Sequence, residues 1–107
     1  MSNIRLSKLK LKEGGEDIWR SWCKQIKKRE DEALVTLRKE SVKIEACFID
    51  EEYIYILMVA DSLEQASKSV KEDPHPIDLD HRENMMKSIV IPDKNPDLEL
   101  LFLLETD

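Results

Sequence analysis

The stretch Val42–Ala60, VKIEACFIDEEYIYILMVA, decides the fold. Val42, Ile44, Ala46 and Phe48 alternate with Lys43, Glu45, Cys47 and Ile49, and the polar corner Asp50-Glu51-Glu52 leads into Tyr53-Ile54-Tyr55-Ile56-Leu57-Met58-Val59. Period-two patterning around a short polar corner is a β-hairpin. A strand that buries one face alternates cleanly between apolar and polar residues; this hairpin is apolar on both, as in a sheet covered twice. Pairing Ile49 with Ile54 puts Phe48 opposite Tyr55, Ala46 opposite Leu57 and Ile44 opposite Val59 on one face. Ile49, Ile54, Cys47, Ile56, Glu45 and Met58 occupy the other, which is expected to be the face that the helices leave open. Glu45 is the one acid in that apolar field.

Working outward, Ile4–Leu11 reads as a first strand. Ile4 and Leu6 share one face and Leu9 and Leu11 the other, a change of phase that predicts a bulge near Ser7-Lys8. Gly14-Gly15 turns the chain into a long helix, Asp17–Glu40, with Ile18, Trp19, Trp22, Cys23, Ile26, Ala33, Leu34 and Leu37 on one stripe that Arg29 and Glu30 interrupt. Ser62-Leu63-Glu64-Gln65 is a capping box that opens a short helix with Leu63, Ala66 and Val70 inward, ended by Pro74. Asp78 is expected to cap another short helix, through about Lys87. Leu98–Leu104 has two readings. Asn95-Pro96 suits a helix start, but Leu100, Phe102 and Leu104 alternate, and a strand here gives the sheet a fourth member. The order β-α-β-β-α-(α)-β is a split βαβ. The expected fold is therefore α+β and ferredoxin-like, one domain over residues 1–107. It has a four-stranded antiparallel sheet with helices on one face, and its open face pairs with a second subunit into a dimeric α+β barrel.

A chain of 107 residues supports one core. Its 41% hydrophobic content is that of a globular protein, and a net charge of −6 without a basic tail argues against nucleic acid and anionic membrane as partners. Cys23 and Cys47 are expected as free thiols in a reducing compartment. The chain starts Met-Ser-Asn and enters a strand at once, which leaves no room for a targeting segment, and no apolar run is long enough to span a bilayer. Cytoplasm is the expected location. Two glycines cannot build a phosphate loop, and neither a nucleophile elbow, paired CxxC nor HExxH is present.

The order of elements and the doubly apolar hairpin resemble the dimeric α+β barrel superfamily. Within it, REDEALVTL (Arg29–Leu37), IEACFIDEEYIYILM (Ile44–Met58) and HPIDLDHRE (His75–Glu83) resemble a small bacterial family of unknown function. The resemblance implies a homodimer through the sheet face and a ligand-sized cavity, but little about chemistry, because the superfamily includes monooxygenases, isomerases and non-catalytic members. Its heme-binding members use a coordinating histidine whose position neither His75 nor His81 matches, so no cofactor is implied.

His75, Asp78 and His81 are the most chemically loaded cluster. Asp78 and His81, three apart on a helix, could pair so that the carboxylate fixes the imidazole tautomer a general base needs. The structural alternative makes Asp78 an N-cap, His81 its capping partner or a surface residue, and His75 a turn residue. Two histidines and one aspartate without a compact motif are a weak metal signal, and no metal is assigned. Glu45, if buried, would be poised as an acid or base; the alternative is an ion pair with Lys43 or Arg5. Arg29 and Glu30 could reach a ligand where the long helix overhangs the sheet, or simply end its core. Trp22, Tyr55 and Arg82 complete the candidate ligand-binding set. The expected function is binding of a small organic molecule, with cofactor-free acid/base catalysis by His75, Asp78, His81 and Glu45 as its catalytic form. The alternative is a non-catalytic dimeric binding or regulatory module with a packed barrel.

Overall fold

The computed structural model describes residues 3–106, apart from the side chain of Val70, so the inward placement expected for Val70 lies outside the described residues. Seven elements follow in order: β1 (Asn3–Lys10), α1 (Gly15–Lys28), α2 (Glu30–Lys39), β2 (Val42–Asp50), β3 (Tyr53–Ala60), α3 (Leu63–Glu72) and α4 (Pro76–Ser88). The strands form one antiparallel sheet in the order β1-β3-β2.

The hairpin has the register read from its sequence, with Ile49 opposite Ile54, Phe48 opposite Tyr55, Ala46 opposite Leu57 and Ile44 opposite Val59. Its faces are the reverse of the expectation. Ile54 is fully buried beneath the helices with Leu9, Leu11, Trp19, Trp22, Ile77 and Ile89, and Ile49 and Ile56 pack against that cluster. Phe48 and Ile44 point the other way and are exposed. Both faces of the hairpin are apolar, so its own pattern does not choose between them; β1 does, because Leu9 lies opposite Ile54. No bulge interrupts β1, which runs in continuous register from Asn3 opposite Ala60 to Lys10 opposite Tyr53. Its change of phase is an apolar residue set that moves from one face to the other. The irregularity lies instead between Val42 and Ile44, and it turns Val42 into a second cluster with Ala60 and Ala66.

The sheet has three strands, not four, and the ferredoxin-like barrel expected from the sequence is not formed. Residues 88–98 do run along the outer edge of β1: Lys12 N–H donates to Ser88 O at 2.8 Å, Val90 N–H to Lys10 O at 2.9 Å, Lys8 N–H to Pro96 O at 3.0 Å and Leu98 N–H to Leu6 O at 2.7 Å. Pro92 and Pro96 fall within this run and have no N–H to donate, so a regular ladder does not form. Beyond Leu6, β1 offers only Asn3–Arg5 as partners. Residues 99–106 are neither strand nor helix, and Leu101 stands at 84% and Phe102 at 76% exposure.

The single long helix is two. Arg29 takes φ −108° and ψ 32°, and its N–H is shared between the Gln25 and Ile26 carbonyls, which ends α1. Glu30, Asp31 and Glu32 then give α2 an acidic first turn that complements its dipole. Ser62 caps α3 as expected, accepting from the Gln65 N–H at 3.1 Å. In α4 the N-cap is His75, not Asp78. Pro76 occupies N1, and Asp78 at N3 accepts from the His75 N–H at 2.8 Å. Among the described residues, no helix is long and apolar enough to cross a membrane.

Candidate functional site

Between the helices and the sheet lies a half-open cavity of about 250 Å³. Trp22, Ile26, Ala33, Leu37, Met58 and Ile77 form its apolar wall, and Thr36, Glu40, Glu45, Asp78 and His81 its polar side. Four of the residues singled out in the sequence, Glu45, Asp78, His81 and Trp22, therefore meet in one place.

The inward face of α1 carries Trp22, whose indole N–H donates to His81 Nδ1 at 2.8 Å. An indole can only donate, so Nδ1 must be an acceptor and the proton of the neutral ring sits on Nε2. The rings of Trp19 and Trp22 lie 5.8 Å and 5.9 Å from that of His81. Burial among them holds His81 below the usual histidine range, against the opposing charge of Asp78. His81 is thus a neutral hydrogen-bond donor, oriented by an indole and not by the carboxylate expected for that role.

Asp78 instead joins α4 to α2. Besides capping α4, it meets Thr36 Oγ1 at 2.9 Å, while Glu40 Oε1 meets the same hydroxyl at 3.0 Å. Thr36 has one proton to give and faces two carboxyl groups. For both contacts to be hydrogen bonds, one carboxyl must hold a proton. Glu40, only 5% exposed, is the natural holder: burial, then the nearby charges of Asp78 and Glu45, push it above the usual glutamate range, outweighing its bond to Thr36. Glu45 comes from β2 and keeps an exposed surface on the chain. The protein packed around its carboxyl nonetheless pushes it upward, with Asp78 in the same direction and Arg5 opposing. Lys43 pairs with Asp61 at 3.7 Å.

The remaining candidates lie elsewhere. His75 caps α4 and does not line the cavity. Arg29 pairs with Glu32 and with Asp80 at 2.7 Å, and its guanidinium stands 6.0 Å from the Trp22 ring, outside the cavity. Glu30 and Arg82 are exposed, and Tyr55 is on the opposite face of the sheet. Thr36 and Glu40 went unnoticed in the sequence. Their spacing of four on a helix face shared with Ala33 and Leu37 was the available signal. Among the described residues, no three His, Cys, Asp or Glu side chains are grouped to hold a metal ion.

A three-stranded antiparallel sheet under a helix layer, with a cavity between the two, defines a small α+β protein. Residues 2–107 match the family of unknown function DUF6176, and the chain belongs to that family. None of the curated proteins compared with it matches.

Proposed function

We propose that the interlayer cavity binds a small organic molecule that is neutral or cationic, with its apolar body against Trp22, Ile26, Leu37, Met58 and Ile77. The observation that carries this reading is the polar side of the cavity: three carboxyl groups and a neutral imidazole, with no lysine or arginine among the lining residues. An anion there would meet Asp78 and Glu45, while Arg5, the cation that acts on Glu45, is not among the lining residues. Calorimetric titration with the matched pair benzylamine and benzoate tests it. Benzylamine should bind, benzoate should not, and Glu45→Gln should weaken the amine at least several-fold. Equal binding of both probes, or an amine indifferent to Glu45→Gln, would overturn the reading.

A catalytic form of this reading is favoured by one further observation. Glu45, with its raised basicity, and His81, with its Nε2 proton, approach the cavity from the sheet and from α4. A base and a neutral donor on two sides of a bound molecule are what cofactor-free proton transfer requires. The alternative of a non-catalytic module draws on Asp78, Thr36 and Glu40, which already engage one another.

A homodimer through the open sheet face belongs to the same proposal. Ile44 and Phe48 are exposed there, and Leu101, Phe102 and Leu104 stand in solvent on the single chain. Apolar surface of this extent marks an interaction site, and a second copy is the partner that the protein always has at hand. Free thiols at Cys23 and Cys47 fit the reducing interior of a cell, the location included in this reading.

A further inference from the structure

Cys23 of α1 and Cys47 of β2, far apart in sequence, meet in a cleft of about 370 Å³ that shares no lining residue with the interlayer cavity. Arg20, Lys24 and Lys27 line it together with Trp19, Phe48 and Ile49. The Trp19 indole N–H points at Cys47 Sγ from 3.4 Å, and the Cys47 thiol itself reaches the Phe48 carbonyl oxygen at 3.8 Å, while Cys23 lines the same cleft. Cys47 is exposed and Cys23 half-buried. One sulfur thus receives an indole donor and faces solvent, while the second, half-buried, lines the same cleft. That is the arrangement of an attacking and a resolving thiol.

We propose that Cys47 and Cys23 form a peroxide-reactive dithiol, with Cys47 as the attacking thiolate and Cys23 as the resolving thiol, closing a disulfide between β2 and α1. The Cys47 thiolate attacks one oxygen of hydrogen peroxide. The O–O bond breaks, and the departing hydroxide takes a proton to become water. The Cys23 thiol loses its proton, and its sulfur attacks the sulfenic sulfur of Cys47. The S–O bond breaks, and the second hydroxide leaves with that proton as water. Two electrons pass from the thiols to the peroxide, and the products are one disulfide and two waters.

The charges around the pair favour this assignment. The Cys23 and Trp19 donors hold Cys47 at about 7, against burial and the charge of Glu45. Cys23 is pushed upward by its bond to Cys47 and by burial, with Lys27 and Arg20 opposing. Of the two, Cys47 is therefore the thiol that ionises first as pH rises through neutrality, and Cys23 the one that retains its proton.

The test uses the full chain. After treatment with hydrogen peroxide, intact mass should fall by two hydrogens per chain, and peptide mapping should join Cys23 to Cys47. Cys23→Ala should leave Cys47 as a sulfenic acid that dimedone traps. Iodoacetamide alkylation of Cys47 should have a midpoint near pH 7 in the wild type. Cys23→Ala should raise that midpoint by about one unit, while Cys23→Ser, which keeps a donor, should hold it lower yet form no disulfide. A midpoint that ignores Cys23→Ala, or peroxide oxidation of the wild type that stops at Cys47 without joining Cys23, would overturn the proposal.

Discussion

Replacing Glu40 with Gln should stabilise the protein at neutral pH and do almost nothing at pH 4.5. In the wild type, Thr36 Oγ1 lies 3.0 Å from Glu40 Oε1 and 2.9 Å from Asp78 Oδ2, and a single hydroxyl proton cannot serve both. Burial raises the Glu40 carboxyl above its ordinary 4.5, so in the fold it holds its proton where the unfolded chain has lost it. Its favourable contribution is therefore fully present below pH 4.5 and is lost as pH rises through the folded value. Glutamine reproduces the protonated form at every pH: its amide donates to Thr36, and Thr36 donates to Asp78. The gain is one hydrogen bond in place of a contact between two acceptors, about 1–2 kcal/mol at pH 7.5. Urea denaturation of both proteins at pH 4.5 and 7.5 measures it. An equal difference at the two pH values, or a glutamine variant that is less stable at pH 7.5, would refute the shared-proton account.

Gly15→Ala should destabilise by about 3 kcal/mol or more, because a Cβ there would overlap the Ser88 carbonyl oxygen, which the Lys12 N–H already holds at 2.8 Å; thermal denaturation checks it. Trp22→Phe should raise the titration midpoint of His81 by roughly half a unit or more through loss of a bond that only the neutral ring can accept, and ¹⁵N shifts of the wild-type ring should show Nε2 protonated. With its folded pKa below 6.5, His81 stabilises above that pH, and its contribution should be lost as pH falls through the folded value, less steeply in Trp22→Phe. Sedimentation equilibrium should give twice the 12.5 kDa chain mass for the wild type and a monomer for Phe48→Glu; a monomeric wild type contradicts the open-face reading.

Local patterns with a fixed period were legible in the sequence. The hairpin register followed from Ile49 and Ile54 alone, and the Ser62 cap from its box. What failed depended on contacts between distant residues. Which hairpin face the helices take is decided by Leu9 and Leu11, not by the hairpin. The fourth strand was inferred from the alternation of Leu100, Phe102 and Leu104, but beyond Leu6 the described part of β1 offers only Asn3–Arg5 to pair with them. Of the residues that line the cavity, Glu45, Asp78, His81 and Trp22 were singled out because each breaks or loads a pattern. Thr36 and Glu40 were missed because a threonine and a terminal glutamate on a charged helix look ordinary until the fold buries them.

The break at Arg29 is what makes the site possible. A continuous helix from Gly15 to Lys39 would carry its apolar stripe straight on from Trp22 and Ile26, and Thr36 would be set by α1 alone. Ending α1 at Lys28 lets α2 take its own direction. Arg29 then fixes that direction, since its guanidinium binds Glu32 in the first turn of α2 and Asp80 on α4. Two turns further along α2, Thr36 and Glu40 arrive at Asp78 on the same α4, one turn from His81. Arg29 and Glu30, which interrupt the helix stripe in the sequence, stand where one helix stops and the next starts, and the cavity is lined from both helices, by Trp22 and Ile26 of α1 and by Ala33, Thr36 and Leu37 of α2. The two acid partners of Arg29 are about half exposed, so solvent screens both pairs and their stabilising effect is small. Its consequence is geometric, in the angle at which a buried threonine meets two carboxyl groups.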